Sequence, residues 1–115
     1  MEGEMLKGHL DMIVLAALAG AGSAHGYAVI EEIKQRSGGA FDLPEGTIYP
    51  ALHRLEQAGL LSSRWTTADS GRRRRVYALS KAGTRALAER RAVWKQFSDA
   101  IGGLLSGARP RETPA

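Results

Sequence analysis

The sequence predicts a mainly α-helical chain with one small β-hairpin, and three observations support this fold class. Apolar residues recur at helical spacing in three segments of the first half of the chain. The period then changes to alternation in LSSRWTTADSGRRRRVYALS, which has the turn composition ADSG at its centre. A last segment again has helical spacing. The length of 115 residues favours a single domain with a real core.

The first two helices are predicted from about Leu6 to Ala19 and from about His25 to Arg36. The first has apolar side chains on more than one side, so its own domain and a second subunit are both candidate partners. Ser23 is the candidate cap of the second helix. Three side chains of that helix are expected to face inward, namely Tyr27, Ile30 and Ile33.

The third helix is predicted in GTIYPALHRLEQAGLL, with Pro50 near its first turn and Gly59 at its end. Its apolar stripe consists of Ile48, Leu52 and Leu55. The polar residues on the other side can bond to phosphates or base edges, namely Thr47, Tyr49, His53 and Arg54. An ordinary solvent-facing surface is the alternative interpretation of these side chains.

The hairpin carries an unusual concentration of positive charge. Its second half contains four consecutive arginines, namely Arg72, Arg73, Arg74 and Arg75. From Arg64 to Arg75 only Asp69 opposes them, which favours a polyanionic partner. Strand alternation sends these arginines to both faces of the ribbon, so those near the tip must project into solvent or towards a partner.

The last helix is predicted from about Lys81 to Leu105, with Ser80 as its cap. Seven-residue spacing gives it a short coiled-coil seam, interrupted by Arg90. The seam consists of Leu87, Trp94 and Ile101, with Phe97 and Leu104 at the intervening positions. The segment 107–115 contains two prolines and no apolar periodicity, so a disordered tail is expected.

Three helices followed by a hairpin and a further helix is the order of a winged helix-turn-helix domain with a C-terminal helix. In such a domain the third helix enters the DNA major groove, and the hairpin, called the wing, reaches over the adjacent backbone or minor groove. A stiff ribbon suits this task because pre-positioned arginines lose less entropy when they bind phosphate. The sequence therefore predicts a binder of double-stranded DNA.

Other classes of function find little support. The three histidines are scattered and suggest no catalytic set, so no enzyme is expected. Clustered metal ligands and a dinucleotide-binding motif are not found, so no metal and no cofactor are expected. The absence of cysteine fits a reducing cytoplasm. The apolar run 12–19 is too short to cross a bilayer and follows acidic residues, so neither a signal peptide nor a membrane span is expected. A membrane-surface role is not expected either, since the arginines lie in a predicted hairpin and not on an amphipathic helix.

Three segments, HGYAVIEEI, EGTIYPALHRLEQAGLL and GRRRRVYALSKAG, together resemble the PadR family of bacterial transcriptional regulators. GTIYPALHRLE is the most specific of them. The resemblance covers nearly the whole chain apart from the C-terminal tail, and the short last helix is similar to the branch with a compact C-terminal region.

The resemblance implies a homodimeric repressor that binds a palindromic operator. On that pattern Thr47, Tyr49 and His53 lie on the recognition helix, the four arginines form the wing, and Tyr27 lies close to the phosphate backbone. The first and last helices would build the dimer interface. This implicates one residue of the first helix and five of the last, namely Leu10, Leu87, Trp94, Phe97, Ile101 and Leu104. Some members sense small, often aromatic compounds there, so Trp94 and Phe97 are candidate effector-binding residues.

The resulting division of the chain is a DNA-binding domain over residues 1–80, a dimerisation helix over 81–106 and the tail. A second interpretation stays open at this point. The same fold can serve protein–protein contact, with the arginines meeting an acidic partner. Binding of double-stranded RNA is a weaker variant.

Overall fold

A computed structural model describes residues 9–107, in which seven helices and strands follow one another. They are α1 Leu10–Ala21, β1 Ser23–His25, α2 Gly26–Arg36, α3 Glu45–Gln57, β2 Leu61–Thr67, β3 Arg73–Leu79 and α4 Lys81–Leu105. The predicted start of the first helix at Leu6, and the predicted tail from residue 108 onward, lie outside the described residues.

α1 lies at the centre of the core. Its Val14, Leu15 and Leu18 are fully buried, and the helix packs against α2, α3, α4, β1 and β3 of the same chain. Leu10 is only partly buried against this core. Within α1, Leu10–Ala21, the chain itself therefore covers most of the apolar side chains.

The sheet has three antiparallel strands in the order β1-β3-β2, one strand more than the predicted hairpin. β1 pairs with β3 through Ser23 and Ala78 and through His25 and Val76. Ser23 therefore belongs to a strand, and the predicted cap was wrong. The cap of α2 is His25, whose Nδ1 accepts a hydrogen bond from the Ala28 N–H at 3.3 Å. A strand of three residues is too short to show an alternating pattern in the sequence.

The orientation predicted for Tyr27 was also wrong. Ile30 and Ile33 are buried as expected, but Tyr27 is 57% exposed at the start of α2. It is the second residue of α2, and the buried apolar side chains of this helix begin only at Val29. The side chain is therefore free to meet a partner.

α3 has the predicted buried stripe of Ile48, Leu52 and Leu55. The helix begins at Glu45, one residue before the predicted segment, so Pro50 is its sixth residue. β2 and β3 form the predicted hairpin, and Ala68 N–H bonds to the Arg72 carbonyl across its turn at 2.8 Å. Gly71 has a φ of 84°, a conformation in which other residues are strained. The wing is thus a defined two-stranded ribbon.

The first turn of α4 is attached to the wing base, that is, to Gly59 and Leu60 directly before β2. Ser80 caps the helix as predicted, accepting from Gly83 N–H at 3.0 Å, and its hydroxyl donates to the Gly59 carbonyl at 2.6 Å. Leu87 is 2% exposed and packs in the core of its own chain, so the structure removes it from the exposed seam. Within residues 9–107, no helix combines the length and apolar character that a membrane span requires.

Candidate nucleic-acid interface

A cleft of about 520 Å³ opens between the wing and the first turns of α2 and α3. Six of the predicted DNA-binding residues line it, namely Tyr27, Tyr49, Arg72, Arg73, Arg74 and Arg75. His25, Gly26, Glu45 and Trp65 complete the lining. The four arginines therefore line this cleft together with a single carboxylate, that of Glu45. Two helix N-termini open into it, and their unpaired N–H groups also favour an anion.

Trp65 stiffens the wing. It lies opposite Arg75 in the ladder, and its ring is 4.8 Å from the Arg73 guanidinium carbon and 5.7 Å from that of Arg75. Such contacts contribute roughly 0.5–1 kcal/mol each at exposed sites. They hold the charged heads against the ribbon, as the sequence argument for a stiff cationic wing requires.

Arg75 differs from its three neighbours in the described residues because it is ion-paired with a carboxylate, that of Glu56. Its Nε donates to the Ser63 hydroxyl at 2.8 Å, and its Nη2 donates to Glu56 Oε1 at 3.1 Å. The Ser63 hydroxyl in turn donates to Glu56 Oε2. This group of three residues, the wing tie, connects the last turn of α3 to both strands of the wing. Arg75 therefore fixes the wing relative to α3 and is not a free cation like Arg72.

The wing tie has an electrostatic signature. The Ser63 hydroxyl and the Arg75 guanidinium hold the pKa of the Glu56 carboxyl below its ordinary value of 4.5, although burial opposes them. A lowered pKa means that the ionised form is stabilised by folding. This stabilisation is complete above pH 4.5 and is lost as the pH falls through the folded-state pKa.

Glu56→Gln is expected to lower the free energy of unfolding by about 1 kcal/mol at neutral pH, because it removes a partly exposed ion pair and weakens its hydrogen bonds. The difference from wild type should shrink as the pH falls below 4.5. Urea unfolding across this range measures both effects. Glu31→Gln, which removes the same charge from α2, is the control. A pH-independent difference would contradict the assigned role of the carboxylate.

The polar residues of α3 separate into two sides. Tyr49 and His53 are exposed, one turn apart, and the end of the Tyr49 ring lies against Gly26, where a Cβ atom would come within 2.5 Å of it. Thr47 and Arg54 are seven residues apart and share another side. Thr47 is half-buried. Arg54 reaches away from the cleft to Asp11 of α1, with Nη2 and Oδ1 2.5 Å apart, so the cleft does not include it.

A second depression of about 960 Å³ runs between the start of α1 and the middle of α4, and it is called the α1–α4 groove here. It includes Leu10, Trp94 and Phe97 of the predicted dimer interface. Trp94 contacts the His9 ring edge-on at 5.3 Å and the Phe97 ring at 5.9 Å. Further along α4, Ile101 and Leu104 are exposed. Residues 9–107 of the same chain thus leave much of this apolar face of α4 exposed.

Sequence reasoning missed four residues of the interface. His25 and Trp65 line the cleft, and Glu45 brings its one carboxylate. Gln57 is exposed one turn beyond His53, on the side of α3 that faces solvent. The sequence marks His25 only as the start of a helix and Trp65 only as an alternating strand residue. A search for polar residues at helix N-termini would have found His25, and a search for aromatic residues across the hairpin from the arginines would have found Trp65.

Among residues 9–107, no group of three or more histidine or acidic side chains is placed to hold a metal ion. The cleft contains cationic, phenolic and imidazole groups together with the one carboxylate. Such a set can donate hydrogen bonds to phosphate oxygens.

The fold, with its basic hairpin next to the third helix, defines a winged helix-turn-helix protein. Residues 14–89 match the family model described as the transcriptional regulator PadR-like family. Transcriptional regulator Rv3488 of Mycobacterium tuberculosis is 41% identical over 80 residues, which cover 69% of this chain and 71% of that protein.

Solved structures agree with this assignment. A PadR family transcriptional regulator of Eggerthella lenta has 34% identity and a TM-score of 0.75, covering 89% of this chain and 86% of its own. A PadR-like transcriptional regulator of Bacillus cereus has 25% identity and a TM-score of 0.79, covering 92% and 100%. The chain belongs to the PadR-like family of transcriptional regulators. The predicted family and fold class are thereby confirmed.

Proposed function

We propose that this regulator acts as a homodimeric repressor that binds a palindromic DNA operator in the cytoplasm. The observation that carries the proposal is the cleft, which combines Arg72, Arg73 and Arg74 with two tyrosines, two helix N-termini and one carboxylate. Positive charge held on rigid elements next to an exposed helix is suited to a polyanion of regular shape.

α3 is the proposed recognition helix. Its solvent-facing side is formed by Gly46, Pro50, His53 and Gln57, all of which are exposed. Gly46 and Pro50 carry little bulk, so the first turns of the helix can approach the floor of a major groove closely. His53 and Gln57 then face the base edges, where a glutamine amide can pair with adenine. Tyr49 and Tyr27 lie between this side and the wing, at the position of the sugar–phosphate backbone.

The division of the chain follows from the two surfaces. Residues 1–80 form the proposed DNA-binding unit and residues 81–106 the proposed dimerisation helix, with the first turns of α4 also serving the core through Leu87. The uncovered apolar face of α4, together with Leu10 of α1, is the proposed interface. A two-fold dimer carries two recognition helices, which fit successive major grooves when they lie about 34–36 Å apart.

An effector site belongs to the same proposal. The α1–α4 groove contains Trp94 and Phe97, whose rings can stack on a small aromatic compound. Such a compound releases DNA, and so ends repression, only if it binds the arrangement of the two subunits that does not fit DNA more tightly than the one that does.

The wing variant Arg72→Ala/Arg73→Ala is expected to weaken binding to all DNA sequences about equally. The slope of log affinity against log salt should flatten by about 0.9 for each phosphate that the wing no longer neutralises. Fluorescence anisotropy with a random-sequence duplex at several salt concentrations measures both quantities.

Arg85→Ala/Arg91→Ala is the matched control, because it removes the same charge from exposed positions on α4. An unchanged slope in the wing variant would remove the wing from the proposal. Weak wild-type binding with a flat salt dependence would instead favour the acidic protein partner, and preference for an RNA duplex would favour RNA.

A further inference from the structure

His25 stands where β1 ends and α2 begins, and both of its ring nitrogens have neighbours. Nδ1 accepts the hydrogen bond of the Ala28 N–H at 3.3 Å. Nε2 lies 3.2 Å from Nη1 of Arg74, which projects from the adjacent strand β3. One imidazole ring thus connects the cap of α2 to the wing.

The ring cannot satisfy both neighbours. A neutral imidazole has one acceptor nitrogen and one donor, whereas a guanidinium group only donates. With Nδ1 engaged by the backbone of α2, the ring proton resides on Nε2 and faces the N–H of Arg74. In this tautomer two donors point at each other across 3.2 Å.

The electrostatic surroundings keep this arrangement in place. Burial and then the positive charge of Arg74 lower the pKa of His25 below its ordinary value of 6.5, so the ring is neutral at physiological pH. The first turn of α2 adds its unpaired N–H groups to the same side. Glu45 lies in the same cleft, but Arg72, Arg73 and Arg74 outnumber its single negative charge.

We propose that His25 and Arg74 hold one phosphate of the DNA backbone between them, at the N-terminus of α2. The inference rests on the proposed DNA-binding function and assigns a site within it. An anionic phosphate oxygen accepts from Nε2–H and from the guanidinium together, which removes the conflict between the two donors. His25 is thereby a binding residue as well as a cap, and it ties α2 and the wing to the same strand of DNA.

A backbone phosphodiester fits better than a free anion. The cleft is open and continuous with the exposed Tyr27 and Tyr49, whereas a site for a small anion is normally enclosed. Phosphates repeat along a duplex, so the wing arginines and the α2 N-terminus can each meet one without a change of shape. The contact reads no base and should be independent of sequence.

His25→Asn is the decisive variant. Asparagine is a good cap, so its side-chain oxygen can replace Nδ1 as acceptor for Ala28 N–H, but its amide is too short to take the place of Nε2. We expect about tenfold weaker binding of a random-sequence duplex, because a hydrogen bond to a charged group is removed. The salt slope should stay unchanged because a neutral ring releases no counterion. Arg74→Ala should weaken binding and also flatten the slope by about 0.9.

The double variant His25→Asn/Arg74→Ala is expected to lose less affinity than the product of the two single fold-losses, because both side chains hold the same phosphate. Gln35→Asn, on the solvent-facing side of the last turn of α2, is the control. Independent, multiplicative effects would overturn the shared site. Unchanged affinity of His25→Asn would overturn the shared site too. In that case, a flattened slope of log affinity against log salt in Arg72→Ala/Arg73→Ala would still support the proposed function.

A second measurement uses only the wild-type protein, so it does not depend on whether a variant folds. In ¹⁵N-labelled wild-type protein, addition of the duplex should shift the Nε2–H signal of His25 and slow its exchange with water. A signal that the duplex leaves unmoved, while the wing amides shift, would overturn the site. Failure of the wild type to bind any duplex would overturn both this inference and the proposed function.

Discussion

Replacing Gly83 by alanine is expected to lower the free energy of unfolding by about 3 kcal/mol. The residue is buried in the first turn of α4, and an added Cβ atom would lie 1.9 Å from the Leu60 carbonyl oxygen. The atoms nearest to this Cβ all belong to the Leu60 backbone, so no flexible side chain can move aside and α4 must shift away from the wing base. Urea unfolding at a fixed protein concentration measures the loss, which is large against a typical total of about 5–15 kcal/mol.

Gly102→Ala provides the matched control. Gly102 lies in the same helix, and nothing comes within 4 Å of its added Cβ atom. The substitution should therefore stabilise the helix, by up to about 1 kcal/mol. Equal unfolding midpoints for Gly83→Ala and wild type would show that α4 does not pack against the wing base as described.

Trp94→Glu is expected to split the proposed dimer, with a dissociation constant raised about 100-fold or more. Tryptophans at the centre of an interface commonly contribute about 2 kcal/mol or more, and a buried carboxylate without a partner adds a further cost. Sedimentation velocity should show the species at half the wild-type mass. Binding to a palindromic operator should weaken with it, because one recognition helix then binds alone.

Ala92→Glu places the same charge on the opposite side of α4, two residues earlier. It should leave the dimer intact. If Trp94→Glu also sediments as a dimer, the apolar face of α4 is not the interface, and the groove beside it needs another occupant.

Much of the fold could be predicted because strong periodic patterns decide it. The stripe of Ile48, Leu52 and Leu55 and the alternating hairpin fix two elements, and Ser80 marks the start of α4. β1 was not predicted because a strand of three residues is too short to show an alternating pattern. Leu87 keeps the seven-residue spacing of Trp94 and Ile101, yet it lies against the core, since a helix that leaves the body of a domain changes partner along its length. Spacing alone cannot show where that change occurs.

The candidate site divides in the same way. The run of four arginines is visible in the sequence, but the separate role of Arg75 depends on Glu56, 19 positions away along the chain. Arg54 likewise finds Asp11, which no local pattern indicates. Charge content is thus readable from sequence, whereas the pairing that removes a charge from the interface is a property of tertiary structure.

The attachment of α4 at its first turn has a mechanical consequence. Ser80 bonds to the Gly59 carbonyl while Gly83 abuts Leu60, so the long helix is clamped at two neighbouring points and lacks a hinge where it joins the body. In the proposed dimer each DNA-binding unit then moves as one rigid body with its own α4. The angle at which the two α4 helices cross sets the distance between the two recognition helices. A small rotation at this crossing therefore produces a larger change in that distance.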